Sequence, residues 1–145
     1  MPSEEVFHRI IVAVDGSSVS LRAAEHAVRL AKQDAAELIA LHVVPSPVAE
    51  VAGELADYYD RARRSARPWM KTIETMSAQR GVRLKTDVVV GAYSVVDAVL
   101  GYAETVGADL IVTGTRGQTP SRRILVGSVA SALVEYAACA VLVVR

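Results

Sequence analysis

Four short runs of almost continuously apolar residues constrain the fold of this chain more than any other feature of its sequence. They cover 10–14, 38–44, 109–113 and 140–144, and each has the length of a β-strand. Continuous apolarity predicts strands that are buried on both faces, as in a parallel sheet covered by helices. A fifth run, 82–90, alternates before it becomes apolar, which predicts an edge strand partly open to water.

Amphipathic helical patterns separate these runs. We expect helices from Ser18 onward, through 53–80, over Ser94–Val106 and over Val129–Ala138. Pro68 lies inside the second pattern and removes a helical hydrogen bond, so either a kink or two abutting helices are expected there. Alternating strands and helices predict an α/β fold, an open doubly wound five-stranded parallel sheet with helices on both faces.

Size, charge and cysteine content narrow the class of protein. With 145 residues, the chain has the size of one domain with one core. Its 16 Lys and Arg balance 16 Asp and Glu, which argues against nucleic acid or an anionic membrane as a partner. The sole cysteine, Cys139, excludes an internal disulfide and fits a cytoplasmic protein. We expect neither a signal peptide nor a membrane span.

The residues that follow the apolar runs indicate where a ligand would bind. In an open parallel sheet, the ligand crevice lies beyond the carboxyl ends of the strands, where the strand order reverses. Asp15 follows the first run, Val43 lies near the end of the second, and Gly114 follows 109–113. A ligand site is therefore expected around these three positions.

A glycine-rich segment after 109–113 predicts a phosphate cradle. Gly114 and Gly117 can turn the backbone so that its N–H groups face a phosphate. Gly127 and Ser128 open the last helix, whose N-terminal N–H groups and dipole favour an anion. In the structural alternative, the glycines only turn the chain and Ser128 only caps a helix. Neither a Walker loop nor a Gly-x-Gly-x-x-Gly motif occurs in the sequence.

The same motifs resemble those of the universal stress protein family. They are, in chain order, Asp15-Gly16-Ser17, Leu41-His42-Val43, the G-x2-G-x9-G-S pattern at Gly114, Gly117, Gly127 and Ser128, and a terminal Val-Leu-Val-Val. The glycine spacing is that of the nucleotide-binding branch of the family. The resemblance covers essentially the whole chain and implies one universal stress protein domain over 1–145. It also implies the strand order 3-2-1-4-5 of an adenine nucleotide alpha hydrolase-like fold.

The resemblance further implies ATP as the ligand, with Mg²⁺ bridging its phosphates. The residues that would border the adenine and ribose are Ala13, Val14, Asp15 and Val43. The residues that would surround the phosphates are Gly114, Arg116, Gly117, Gln118, Gly127, Ser128 and Val129. Asp15 would meet the nucleotide or the metal ion, although an Asp after a strand commonly caps the next helix. The roles of Arg122 and Arg123 stay open.

Residues for fast catalysis are not evident. None of His8, His26 and His42 falls in the glycine segment, where a general base would be needed. We expect a hydrogen-bonded structural imidazole at His42 and a small buried apolar side chain at Cys139. The expected function is a nucleotide-responsive regulatory module of the stress response with at most slow ATP hydrolysis.

The last strand is also expected to join two subunits. In the implied strand order, 140–144 lies at an edge of the sheet, and an exposed apolar edge favours pairing with a second chain. A homodimer built through 140–144 is therefore expected. Two other functions stay open: a dimeric interaction module that binds no nucleotide, and a binder of AMP or cyclic AMP. Nothing in the sequence identifies a protein partner.

Overall fold

A computed structural model of the chain describes residues 6–47, 54–115 and 126–145. Strands and helices alternate along these residues, as predicted. In chain order they are β1 (Arg9–Ala13), α1 (Ser18–Asp34), β2 (Glu37–Pro45), α2 (Leu55–Gln79), β3 (Leu84–Ala92), α3 (Val95–Val106), β4 (Leu110–Gly114), α4 (Ser128–Tyr136) and β5 (Ala140–Val144). None of the helices in the described part of the chain has the length and apolar character needed to cross a membrane.

The strands pair in parallel in the order β3-β2-β1-β4-β5. This finding confirms the doubly wound sheet and the order 3-2-1-4-5. β1 lies in the middle, while β3 and β5 form the edges. The side chains of Ile10, Ile11 and Val12 have no exposed surface, as continuous apolarity predicts for a central parallel strand.

Alternate residues of β1 supply two separate cores. Ile10 and Val12 belong to the core that α1 and α2 cover, whereas Ile11 belongs to the core that α3 covers together with α4. Successive side chains of a strand point to opposite faces of the sheet. Both layers of helices are therefore anchored on the same central strand, and burial of apolar surface is the main force that holds them there.

Helix α2 is one helix that continues through Pro68. The alternative of two abutting helices was wrong, because Leu55–Gln79 is helical throughout. Pro68 lies on the exposed side of the helix, where water can hydrate the carbonyl that loses its donor. Ala66 and Ile73 face the sheet and are buried. The arginines of this helix form a solvated face, with Arg61, Arg63, Arg64 and Arg67 exposed.

Strand β3 runs beyond its predicted end. The sequence indicates 82–90 with Gly91 as the stop, but the strand is Leu84–Ala92. Its pairing with β2 shifts in register at Val44/Pro45, which makes Gly91 the extra residue of a bulge. The φ of Gly91 is +81°, a conformation that L side chains rarely adopt, so glycine there serves the bulge.

Charged side chains fix the amino end of β1. Asp109 accepts hydrogen bonds from the backbone N–H groups of His8 and Arg9, at 2.8 and 3.0 Å. The guanidinium of Arg9 donates to Glu37, at 3.3 and 3.2 Å, and to the carbonyl of Val106. These bonds tie the central strand to both of its neighbours at the amino end of the sheet, opposite to the predicted ligand crevice.

Candidate functional site

The strand order reverses between β1 and β4. From β1 the chain passes to β2 on one side, whereas from β3 it crosses to β4 on the other side of β1. Parallel sheets of this kind bind ligands beyond the strands at such a point. Several predicted site residues lie at the carboxyl end of the sheet: Ala13, Val14, Asp15, Val43, Gly114, Gly127, Ser128 and Val129. Arg116, Gly117, Gln118, Arg122 and Arg123 lie outside the described residues.

Asp15 braces the turn that joins β1 to α1. Its Oδ1 accepts from the N–H of Ser17, at 2.9 Å. Ser17 is the N-cap of α1, because its Oγ accepts from the N–H of Ser20, at 3.1 Å. The hydroxyl of Ser20 in turn accepts from the N–H of Asp15, at 3.2 Å. Asp15 therefore supports the cap rather than forming it, and one of its carboxylate oxygens is fixed at the turn after β1.

The small size of Gly114 serves the packing of α1. A Cβ atom at this position would lie 2.7 Å from Cγ1 of Val19 and 3.3 Å from its backbone carbonyl carbon. Distances this short force a neighbour to move, so β4 can approach the first turn of α1 only because residue 114 lacks a side chain. This packing role differs from the chain turn that the structural alternative assigned to Gly114, since its φ is not positive, and its contact with a phosphate stays a prediction.

Neighbouring carbonyls engage two of the amides near the expected cradle. The N–H of Thr115 donates to the carbonyl of Val144, at 2.8 Å, and the N–H of Gly127 donates to the carbonyl of Thr115. The N–H of Gly127 is therefore used within the protein, and the place of Gly127 beside the phosphates stays a prediction. The same bond draws the start of α4 next to the end of β4.

The first turn of α4 supplies further backbone donors. Its first helical hydrogen bond runs from the N–H of Ser131 to the carbonyl of Gly127, at 3.0 Å. The N–H groups of Ser128, Val129 and Ala130 precede that bond, so they are the donors of a helix N-terminus. Its N-cap is Gly127, which has no side chain to cap this end of α4. The positive end of the helix dipole favours an anion there.

The peptide groups of Val43 have no partner on the side of β1 among the described residues. The N–H of Val14 donates to the carbonyl of Leu41, at 2.9 Å, which is the last backbone bond from β1 to β2. Alternate residues of a strand direct their N–H and C=O groups to the same neighbour. The groups of Val43 therefore point the same way as those of Leu41, where β1 has already turned toward α1.

His42 occupies the acceptor that the N–H of Val43 would otherwise use. Its Nδ1 lies 2.8 Å from the carbonyl oxygen of Val14. A carbonyl oxygen only accepts, so Nδ1 carries the proton and donates it. The prediction of a hydrogen-bonded imidazole at His42 is confirmed.

Trp69 of α2 closes the other side of this imidazole. The two rings meet edge to face, with centroids 4.9 Å apart and planes at 88°. The indole also covers Gly16, since a Cβ there would lie 2.6 Å from Nε1, and the φ of Gly16 is +84°. Sequence reasoning placed Trp69 only in the apolar stripe of α2 and missed both contacts, because spacing along the helix gives no signal for the loop that the indole meets.

Titratable side chains at the site do not form a metal centre by themselves. The described part of the chain contains no group of three or more His, Cys, Asp and Glu side chains that could hold a metal ion. Cys139 packs against the core under α3 and α4 and is half-buried, and burial raises the pKa of its thiol. A divalent ion at Asp15 would therefore need other ligands, such as phosphate oxygens.

Comparison with known proteins identifies the family. A sequence model of the universal stress protein family matches residues 7–145. The chain belongs to this family. Universal stress protein MJ0531 of Methanocaldococcus jannaschii is 37% identical over 147 residues, which cover 98% of this chain and 84% of that protein.

Solved structures of other universal stress proteins share the fold. Universal stress protein UspA from Lactobacillus plantarum has a TM-score of 0.86 and 30% identity, and the match covers 95% of this chain and 97% of that chain. A universal stress protein in complex with cAMP has a TM-score of 0.74 and 25% identity, with 96% and 97% of the two chains covered. These likenesses bear out the fold that the sequence resemblance implied.

Gly114→Ala is expected to destabilise this universal stress protein. The added Cβ would collide with Val19, so the free energy of unfolding should fall by about 1–3 kcal/mol in a denaturant titration. Gly101→Ala is the matched control, because a Cβ on that residue of α3 meets nothing within 4 Å. The control should gain about 0.5–1 kcal/mol. Val19→Ala should rescue part of the loss, and a double variant without any recovery would contradict the contact.

Stability is expected to fall as the pH drops below about 6.5, the ordinary pKa of histidine. Burial lowers the pKa of His42, against smaller raising effects from the Val14 carbonyl and the Asp15 carboxylate. The unfolded chain then binds a proton before the folded one does. The stabilisation is therefore complete above the ordinary pKa and is lost as the pH falls through the lowered one.

The variant His42→Asn isolates this contribution, because it keeps an N–H donor and does not titrate. Denaturant unfolding of both proteins between pH 5 and 8 should give a steeper pH dependence for the wild type. Parallel pH profiles would show that the stability does not depend on the titration of His42.

Proposed function

We propose that this universal stress protein is an ATP-binding regulatory module of the stress response. The observation that carries the proposal is the backbone of Val43, whose N–H and C=O both point into the space beyond the end of β1. Adenine has an acceptor at N1 beside a donor at N6. A backbone N–H can donate to N1 while the C=O of the same residue accepts from N6. The relative solved with cAMP supports an adenine nucleotide as the class of ligand.

The described residues fit both ends of a nucleotide. Val43 is buried in the core under α3 and α4, and Ala13 packs against that core, which provides an apolar wall for the base. Asp15 stands next to this wall and would meet the ribose or a Mg²⁺ ion bridging the phosphates. The N-terminus of α4 would receive the phosphates through the amides of Ser128 and Val129.

The remaining phosphate contacts are assigned by resemblance. Arg116, Gly117 and Gln118 would complete the cradle between Gly114 and Gly127. His42 lies against Trp69 on the face of β2 opposite to Val43, so it would not reach the phosphates as a base, and hydrolysis would be slow at most. Bound nucleotide would then act by changing the surface that residues 114–127 offer to a partner. We propose that the protein works in the cytoplasm as one domain over 1–145.

ATP with Mg²⁺ should bind the purified protein in a calorimetric titration. In Gly127→Val, a branched side chain at the N-cap of α4 would obstruct the phosphates, so the affinity should fall by about tenfold or more. The φ of residue 127 is −71°, which valine adopts without strain. Gly101→Ala, remote on α3, should bind like the wild type.

The nucleotides ATP, AMP and cAMP should be compared in the same titration. Preference for AMP or cAMP over ATP would change the ligand but keep the site. Absence of heat with all three, together with no nucleotide released on denaturation of the purified protein, would reject nucleotide binding and leave the dimeric interaction module.

A homodimer through β5 is the second part of the proposal. β5 is an edge strand, and its Leu142 is 36% exposed, a substantial fraction for a leucine. The carbonyl of Val144 accepts from Thr115, so the peptide groups of Val144 and Leu142 face β4. Those of Val141 and Val143 then face outward, ready to pair with the same strand of a second chain.

Val143→Pro should convert the dimer into a monomer. Proline removes an N–H from the open edge without removing a hydrogen bond between β4 and β5. Val143→Thr keeps the N–H and should remain dimeric. Light scattering at micromolar concentration reads the mass of each protein. A monomeric wild type would overturn this part of the proposal.

A further inference from the structure

We propose that His42 is a positioning residue of the nucleotide crevice, which holds the carbonyl of Val14 and so keeps the N–H of Val43 available to the base. The inference rests on the proposed function, since it concerns the backbone N–H of Val43 that would bind the base. It adds a residue that would not touch the nucleotide and would nevertheless decide how the base is recognised.

The carbonyl of Val14 uses a donor from a side chain. In an uninterrupted parallel ladder this carbonyl would accept from the N–H of Val43, just as the N–H of Val14 donates to Leu41, at 2.9 Å. It accepts instead from Nδ1 of His42, at 2.8 Å. A side chain thus replaces the backbone at the last rung between β1 and β2.

Removing the imidazole would leave the carbonyl of Val14 without its donor. Val14 is buried, with 4% of its surface exposed, and a buried carbonyl without a donor is unfavourable. Without the imidazole, the nearest replacement along the ladder is the N–H of Val43. A hydrogen bond from the N–H of Val43 to the carbonyl of Val14 would use the donor that the base needs.

The imidazole of His42 is held on the face of the sheet that α2 covers. His42 and Val43 are consecutive in β2, so their side chains lie on opposite faces of the sheet. Val43 belongs to the core under α3 and α4, whereas His42 meets Trp69 of α2 edge to face, at 4.9 Å between centroids. His42 therefore acts from behind the crevice through the backbone, and Trp69 limits the rotation of its ring.

Amide hydrogen exchange measured by NMR without any nucleotide tests the free N–H directly. The N–H of Val44 faces β3 in the ladder and is the internal reference. In the wild type, the amide of Val43 should exchange about tenfold or more faster than that of Val44, because it has no hydrogen-bond acceptor within the part of the chain that the structure describes. A Val43 amide as protected as that of Val44 would overturn the inference, and this measurement needs no variant.

Two variants separate the donor from the bulk of the side chain. His42→Asn keeps an N–H near the position of Nδ1, whereas His42→Leu has no donor. The amide of Val43 should stay fast in His42→Asn and become protected in His42→Leu. Fast exchange in a folded His42→Leu protein would overturn the inference.

Base selectivity provides a readout that a merely structural role would not change. Guanine presents a donor at N1 and an acceptor at O6, so it mismatches the Val43 peptide. His42→Leu should lose about tenfold in affinity for ATP, the worth of about one hydrogen bond, while its affinity for GTP stays unchanged. His42→Asn should retain the wild-type ratio.

The outcomes distinguish the two proposals. An unchanged ATP to GTP ratio in His42→Leu would reject the role of His42 while nucleotide binding stands. A wild type that binds no nucleotide would reject the proposed function, and the exchange of the Val43 amide would then show whether His42 still frees that group.

Discussion

Every buried backbone carbonyl requires a donor, and this requirement governs the carboxyl end of the sheet. All five parallel strands end there, and the residues that follow a strand leave the ladder and need other hydrogen-bond partners. The carbonyl of Val14 obtains its donor from His42, and that of Val144 obtains one from Thr115. Among the described residues, the N–H and C=O of Val43 are left over beside the end of β1, next to the point where the strand order reverses. The crevice is thus a consequence of how the sheet ends.

Glycine performs different tasks at positions that look alike in the sequence. Gly16 has a positive φ and lies under the indole of Trp69, while Gly114 lets β4 approach Val19. Gly91 forms a bulge in an edge strand. Each role is set by a neighbour from another element. A glycine motif can therefore mark a family without each of its glycines contacting the ligand.

The fold was predictable because its signals are local. Continuous apolar runs such as 10–14 indicated buried strands, and the pattern between them indicated helices. The strand order came from the resemblance, since periodicity does not encode which strands are neighbours. The continuous helix through Pro68 and the strand that passes Gly91 were not predicted, because exposure and a bulge allowed residues that usually end such elements.

The candidate site was predictable only in part. Its place beyond β1, β2 and β4 followed from the fold class, but the contacts of His42 with Val14 and Trp69 depend on how α2 lies across the sheet. No spacing in the sequence reports that arrangement. Trp69 is also the single tryptophan of the chain. Five tyrosines also absorb in the ultraviolet, but light that excites tryptophan selectively reports on one place, where the indole contacts the loop at Gly16 and the imidazole of His42.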